Sequence, residues 1–282
     1  MAGLSYYEKR DIQNRLKTGK YSENLPEFCY DFLVGIENNT STLTRYNYSM
    51  DIAVFMDYLS RFVIKKPVES INLEDIDKIK SRHIEQFLSY LSYYDKDGKE
   101  NKNGEKGKAR KLAAVRSLFK YLFNHDMISS NVASKVETPK LHSKEIIRLE
   151  QNEVEKLMNV VENPCTFTDR QKNYDKNTFE RDNAIITLFL GTGIRISELV
   201  GLDIDSFDFS QNAFIVTRKG GNQTMLYFSI AVAQALKTWL EKRATLELPI
   251  DEKAMFISLQ RKRISVRAVE NLVKKFAKEA SP

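Results

Sequence analysis

The sequence predicts a mainly α protein with a small antiparallel β-sheet, divided into an all-helical first half and a mixed α+β second half. Three observations predict it. Apolar residues recur at helical spacing through most of the chain, one stretch near residue 220 gathers β-branched and aromatic residues around a double glycine, and a polar stretch without periodicity separates the halves. A length of 282 residues is what two ordinary domains need.

In the first half, Ser41 and Thr42 are N-cap candidates before Leu43, Tyr46, Met50, Val54, Tyr58 and Phe62, the apolar positions of a long helix. Ile84, Phe87, Leu88 and Leu91 repeat the pattern. A loop rich in Gly, Lys and Asn follows from Asp95 to Gly107, and Leu112, Val115, Phe119 and Leu122 mark a third helix. Periodicity fails from Val136 to Ile147, around Pro139, so the expected division is a domain over 1–137, a linker over 138–147 and a domain over 148–282. The second half opens with a helix over Gln151–Val161 and a polar excursion from Asn163 to Asn177. An apolar helix, Ala184–Leu190, is stopped by Gly191-Thr192-Gly193, and a short helix restarts near Arg195 with Thr192 as N-cap. Ala213–Thr217 and Thr224–Ile230 read as strands joined by a Gly220-Gly221-Asn222 turn, because glycine tolerates positive φ. Helices resume at Ala231–Arg243 and Ser265–Ala280.

Composition removes several function classes. Apolar residues make 42% and charged residues 29%, no run approaches the ~18 apolar residues of a membrane span, and Met1 to Arg15 lacks the apolar core of a signal peptide. The expectation is a soluble cytoplasmic protein with no membrane partner. Cys29 and Cys165 lie far apart with no CxxC, so reduced thiols are expected, and His83, His125 and His142 have no metal-binding spacing. The net charge of +6 makes a polyanionic partner plausible, and the excess is local: Lys96 to Lys120 holds nine basic residues against three acidic ones.

That cluster falls on the third helix. Arg110, Arg116 and Lys120 lie around Ala113, Ala114 and Ser117, a combination that suits a DNA groove because long cations reach phosphates while small residues permit close approach. The same face reads equally as a solvated helix surface. In the second half, Arg195 stands in the first turn of its short helix, where a guanidinium can grip a phosphate bidentately. The alternative is an Arg195–Glu198 pair that only holds the helix. Lys219 stands at the hairpin tip, where an ammonium flanked by other cations can serve as proton donor beside a phosphate, or can simply be solvated. Arg261, Lys262, Arg263 and Arg267 form an acid-free basic cluster before the last helix, a phosphate clamp or a solubilising turn.

Arg181-Asp182 leading to Thr192-Gly193-Ile194-Arg195-Ile196-Ser197-Glu198-Leu199 resembles the first arginine box of the tyrosine recombinases of the phage-integrase and Xer type. Val216-Thr217-Arg218-Lys219-Gly220-Gly221 resembles their lysine hairpin, in wording similar to that of the single-recombinase Xer proteins of Gram-positive bacteria. Thr42-Leu43-Thr44-Arg45-Tyr46 and Lys108 to Asn124 are similar to the family's helical core-binding domain. The resemblance implies a core-binding domain over 1–137 and a catalytic domain over 148–282 that lacks its C-terminal part. It implies Arg195 as the first clamp on the scissile phosphate, Lys219 as general acid, and Glu198 as a support that orients the arginine helix. Thr44, Arg45, Lys108, Arg110, Lys111, Arg116, Lys120, Arg218, Arg261, Lys262, Arg263 and Arg267 would contact DNA. The implied partner is a double-stranded recombination site on which four protomers assemble, with no metal and no cofactor.

In that family a tyrosine hydroxyl attacks a DNA phosphodiester to give a 3′-phosphotyrosine and a free 5′-hydroxyl. The family's His-x-x-Arg box, its further His or Trp and its C-terminal tyrosine are expected to lie past Pro282, and none of the thirteen tyrosines present matches the nucleophile. The expectation is a shortened recombinase that binds DNA without cleaving it. A non-catalytic DNA-binding protein that regulates or blocks recombination sites is the alternative, and a helical interaction scaffold is a third reading.

Overall fold

Residues 4–96, 98–142, 148–163, 177–218, 220–246 and 253–280 are described in a computed structural model. The chain divides into two compact units, 1–145 and 146–282, a division that falls within residues 138–147.

The first unit packs helices α1 (Tyr6–Ser22), α2 (Glu27–Gly35), α3 (Thr42–Tyr58), α4 (Leu73–Asp77), α5 (Ser81–Tyr90) and α6 (Glu105–Asn124). Ser41 caps α3, its Oγ accepting from the Thr44 N–H, and α3 runs on as a π-helical turn, Leu59–Ile64, ended by Lys65 at φ 59°. The inward row of α3 is Arg45, Ser49, Ile52, Phe55, Met56 and Leu59. Leu43 and Phe62, expected on that row, are exposed, because polar residues share the buried face and shift its apparent phase. On α6 the expected stripe of Leu112, Val115, Phe119 and Leu122 is fully buried, with Ala114 and Leu118 beside it. Phe55 joins the helices edge-on, 5.0 Å from Phe87 and 6.3 Å from Phe119 between ring centroids. Residues expected as a loop form a two-stranded hairpin instead, β1 (Tyr94–Lys96) and β2 (Lys99–Asn101), with Gly98 at φ 71°.

The second unit contains α7 (Gln151–Glu162), α8 (Phe179–Thr192), α9 (Ile196–Val200), a three-stranded antiparallel sheet of β3 (Phe207–Asp208), β4 (Ala213–Thr217) and β5 (Gln223–Tyr227), then α10 (Ile230–Ala244) and α11 (Val266–Ala280). Val216 pairs with Thr224 and Thr217 with Gln223, which leaves residues 218–222 as the hairpin tip. Helices α8 and α10 pack so closely at Gly191 that an added Cβ would lie 2.6 Å from Val232 Cγ2. Trp239 on α10 is buried and donates its indole N–H to the Met255 carbonyl at 2.9 Å. This framework fixes the arginine turn and the hairpin. Among the described residues no helix is long and apolar enough to cross a membrane.

Candidate active site and nucleic-acid interface

Helix α8 ends where the sequence places a stop, but Thr192 belongs to its last turn rather than capping the next helix. Its hydroxyl donates back to the Leu188 carbonyl at 2.6 Å, and Gly193, at φ 63°, supplies the left-handed residue that ends α8. The N-cap of α9 is Arg195 itself. Its backbone N–H donates to Glu198 Oε2 at 2.9 Å, so Glu198 performs the reciprocal half of a capping box. With that N–H occupied and only five residues in α9, any grip on an anion comes from the guanidinium rather than from the helix terminus.

The expected Arg195–Glu198 pair is formed, Nη1 to Oε1 at 3.0 Å, yet it leaves the Arg195 side chain 70% exposed over a carboxylate that is 4% exposed. Arg218, at the start of the hairpin tip and 30% exposed, donates from Nη1 to the same Oε1 at 3.0 Å and to Oε2 at 3.1 Å. Burial works to raise the Glu198 carboxyl, but hydrogen bonds from the Arg195 backbone and side chain and from Arg218 outweigh it, so it titrates below its ordinary range. Because its folded pKa is depressed, the stability it contributes is present above the unfolded-state value and is lost as pH falls through the folded one. Unfolding curves of Glu198→Gln and the parent chain should therefore differ at neutral pH and converge in acid, below the usual glutamate range. Two guanidiniums on one buried anion leave a net positive site open to solvent, and the exposed edge of Arg195 is free to meet an anionic oxygen. Lys219 lies outside the described residues, as does Cys165. Cys29 is a free buried thiol whose pKa burial raises.

Several predicted cations are held elsewhere. Arg263, only 10% exposed, donates to the carbonyls of Val200 at 3.1 Å and Leu202 at 2.9 Å and pairs with Asp203, so it ties the segment after α9 to the turn before α11. Its place in a phosphate clamp is corrected accordingly. Arg261 and Lys262 are exposed on the turn closed by the Ser258 N–H on the Lys262 carbonyl, and Arg267 is exposed with Glu270 at 3.3 Å. Arg181 is also buried, with Nε and Nη2 on Asp182 at 2.8 and 2.6 Å and Nη1 on the Ile257 carbonyl at 3.0 Å.

In the first unit, Arg45 is buried on Glu37 at 2.9 Å, which lowers the Glu37 pKa, and Thr44 faces Ser41 Oγ at 2.9 Å. Lys111 is 7% exposed and donates to Asp51 at 3.1 Å. Arg116 donates to the Ala133 and Val136 carbonyls and to Thr138 Oγ1, so it fastens residues 133–138 to α6. Arg45, Lys111 and Arg116 are structural pins, a correction to their expected contact with DNA. Lys108 donates to Ser92 Oγ at 2.6 Å, Arg110 stays partly exposed 2.7 Å from Asp51 Oδ2, and Lys120 is exposed. The signal that separates pins from open cations is the distant partner, Asp51 or the 133–138 carbonyls, which local spacing does not carry. Among the described residues no group of His, Cys, Asp or Glu could hold a metal.

Residues 147–281 match the phage integrase family and residues 30–125 match the phage integrase N-terminal SAM-like domain. The chain is 34% identical over 280 residues to the tyrosine recombinase XerC of Caldanaerobacter subterraneus subsp. tengcongensis, covering 97% of this chain and 73% of that protein. It is 32% identical to the XerC of Natranaerobius thermophilus, covering 89% and 76%. Its fold is similar to that of the XerH site-specific recombinase bound to difH substrate (TM-score 0.59, 17% identity, 86% of this chain and 65% of that one) and of a lambda integrase (75–356) dimer bound to a COC′ core site (TM-score 0.60, 15% identity, 90% and 81%). With sequence similarity running almost end to end and the arginine turn standing beside the hairpin tip, the chain belongs to the tyrosine recombinases of the phage integrase family.

Proposed function

We propose that this chain binds duplex DNA at a recombination site and holds a scissile phosphate for site-specific strand exchange. The observation that carries this reading is the exposed Arg195 guanidinium anchored at one edge on the buried Glu198 carboxylate, beside the hairpin that bears Lys219. When a tyrosine oxygen bonds to phosphorus, the 3′-phosphotyrosine forms and the 5′ oxygen leaves. Charge grows on the non-bridging oxygens, and a fixed guanidinium holds that charge more tightly in the transition state than in the ground state. Lys219 is assigned the proton that the departing 5′ oxygen takes, which yields the free hydroxyl. The reverse attack by another strand's hydroxyl rejoins the DNA. The nucleophile is assigned to none of the tyrosines described above.

The relatives support two further assignments. Their solved complexes include a lambda integrase tetramer bound to a Holliday junction. We assign this protein the same working assembly, four protomers on two duplex sites, in the cytoplasm where chromosomal and mobile DNA lie. The test is a nicked suicide duplex incubated with the product of the complete reading frame. A covalent protein–DNA adduct supports the enzyme, and duplex binding with no adduct supports a protein that only occupies or blocks recombination sites.

On the first unit, the exposed Lys120 is assigned to DNA phosphate and Arg116 to structure. Lys120→Ala is expected to flatten the dependence of log affinity on log salt by about 0.9. Arg116→Ala should leave that slope unchanged and destabilise the unit by about 1–3 kcal/mol, because buried carbonyls lose their donor. Fluorescence anisotropy across a salt series and urea unfolding check the pair.

A further inference from the structure

The hairpin tip that follows β4 closes on itself. The Arg218 N–H donates to the Asn222 carbonyl at 2.7 Å and the Gly221 N–H donates back to the Arg218 carbonyl at 3.1 Å, with Gly220 and Gly221 at φ 91° and 86°. Two consecutive glycines bring no side chain to anchor such a turn, and they lose the most backbone freedom when it is fixed. The anchor comes from Arg218. Its Nη1 straddles both oxygens of Glu198, which also accepts from the Arg195 backbone and guanidinium, so one buried carboxylate holds two segments that lie 20 residues apart.

We propose that Arg218 is a positioning residue that latches the hairpin tip to the arginine turn through their shared carboxylate, so that the two elements of the phosphate site move as one body. Its meaning for catalysis rests on the reading of Arg195 as a phosphate ligand. The geometry favours a latch over a second phosphate ligand, because Arg218 is less than half as exposed as Arg195 and engages both carboxylate oxygens where the Arg195 guanidinium engages one. A hydrogen bond to a charged group is worth enough that its loss raises local opening about tenfold.

Hydrogen–deuterium exchange on the 282-residue chain tests the latch. Arg218→Ala is expected to raise exchange about tenfold both in peptides covering 214–226 and in those covering 194–200, although the substitution lies in only one of them. Arg218→Lys, which keeps a cationic donor, should return both segments to within about threefold of the parent. Arg218→Ala added to Glu198→Gln should change nothing further, because the two act through one contact. Parent-like exchange over 194–200 in Arg218→Ala, or additivity in the double variant, overturns the proposal. If Arg218→Ala unfolds the whole unit, seen as lost protection throughout α10, then Glu198→Gln decides. Loosening of both segments with α10 still protected supports the latch, and loosening of 194–200 alone overturns it. A separate arm measures strand cleavage by Arg195→Ala in the product of the complete reading frame: unimpaired cleavage with coupled exchange intact removes the phosphate reading and leaves the latch, whereas impaired cleavage with uncoupled exchange removes the latch alone.

Discussion

Arg195→Ala is expected to slow cleavage of a suicide duplex by about 10²–10³-fold, equivalent to about 2.7–4 kcal/mol of transition-state stabilisation, while duplex affinity changes less than about threefold. The asymmetry follows from where the guanidinium sits. One edge is fixed on Glu198 and the rest is open, so it meets the phosphate already oriented and without first reorganising. A phosphodiester in the ground state spreads one negative charge over two non-bridging oxygens, and the five-coordinate transition state puts more charge there. An interaction that strengthens along that path alters rate more than binding. Affinity for the duplex comes instead from many phosphate contacts, of which this is one. Arg195→Lys should recover only part of the rate, because an ammonium keeps the charge but cannot bond Glu198 and a phosphate oxygen through one rigid fork. Single-turnover cleavage and anisotropy binding on the product of the complete reading frame measure the two quantities. Equal losses in both would refute the clamp role, since they would mean that Arg195 contributes only uniform binding.

The sequence makes this site half legible, and the reason is range. Arg195 and Glu198 are three residues apart, so helical spacing alone pairs them, and the double glycine announces the hairpin. The link between them does not show, because Arg218 and Glu198 are 20 residues apart and nothing local marks the arginine as an anchor. The same blindness explains the cations that prove to be pins. Lys111 and Asp51 are 60 residues apart, as are Arg263 and Asp203, and a count of basic residues sees the cations without their partners. The stripe of Leu112, Val115, Phe119 and Leu122 on α6 is legible because those four positions are apolar at helical spacing, but Ala114, expected among the small residues of the outward face, is buried beside it, as is the charged Lys111, because the buried face is wider than the stripe. The inward row of α3 contains Arg45 and Ser49, and that polar content displaces the apparent stripe toward Leu43 and Phe62. The β1–β2 hairpin carries an Asp97-Gly98 turn signal, but its flanks are charged on both faces, so no alternation reveals the strands.

Asp51→Ala is expected to destabilise the first unit by about 3–5 kcal/mol, the largest effect on stability foreseen in that unit. Asp51 is 1% exposed, lies between α3 and α6, and is met by Lys111 at 3.1 Å and Arg110 at 2.7 Å. Burial pushes its pKa up and the two cations pull against that rise, which means that the carboxylate's desolvation is offset only by its partners. Removing it strands the Lys111 ammonium, 7% exposed, without the anion it pairs with. Arg110 escapes the same fate because its side chain already reaches solvent. The cost is therefore that of an unpaired buried charge, and it should largely disappear in Asp51→Leu combined with Lys111→Met, which replaces the pair with apolar volume. The chain's single tryptophan, Trp239, lies in the second unit, so its fluorescence follows that unit while far-UV circular dichroism follows both. In urea the Asp51→Ala chain should show an early dichroism phase displaced by about 2 M, with the Trp239 transition unmoved. A displacement worth less than about 1 kcal/mol would mean that Lys111 reaches water once released, and that the pair is not desolvated as its burial implies.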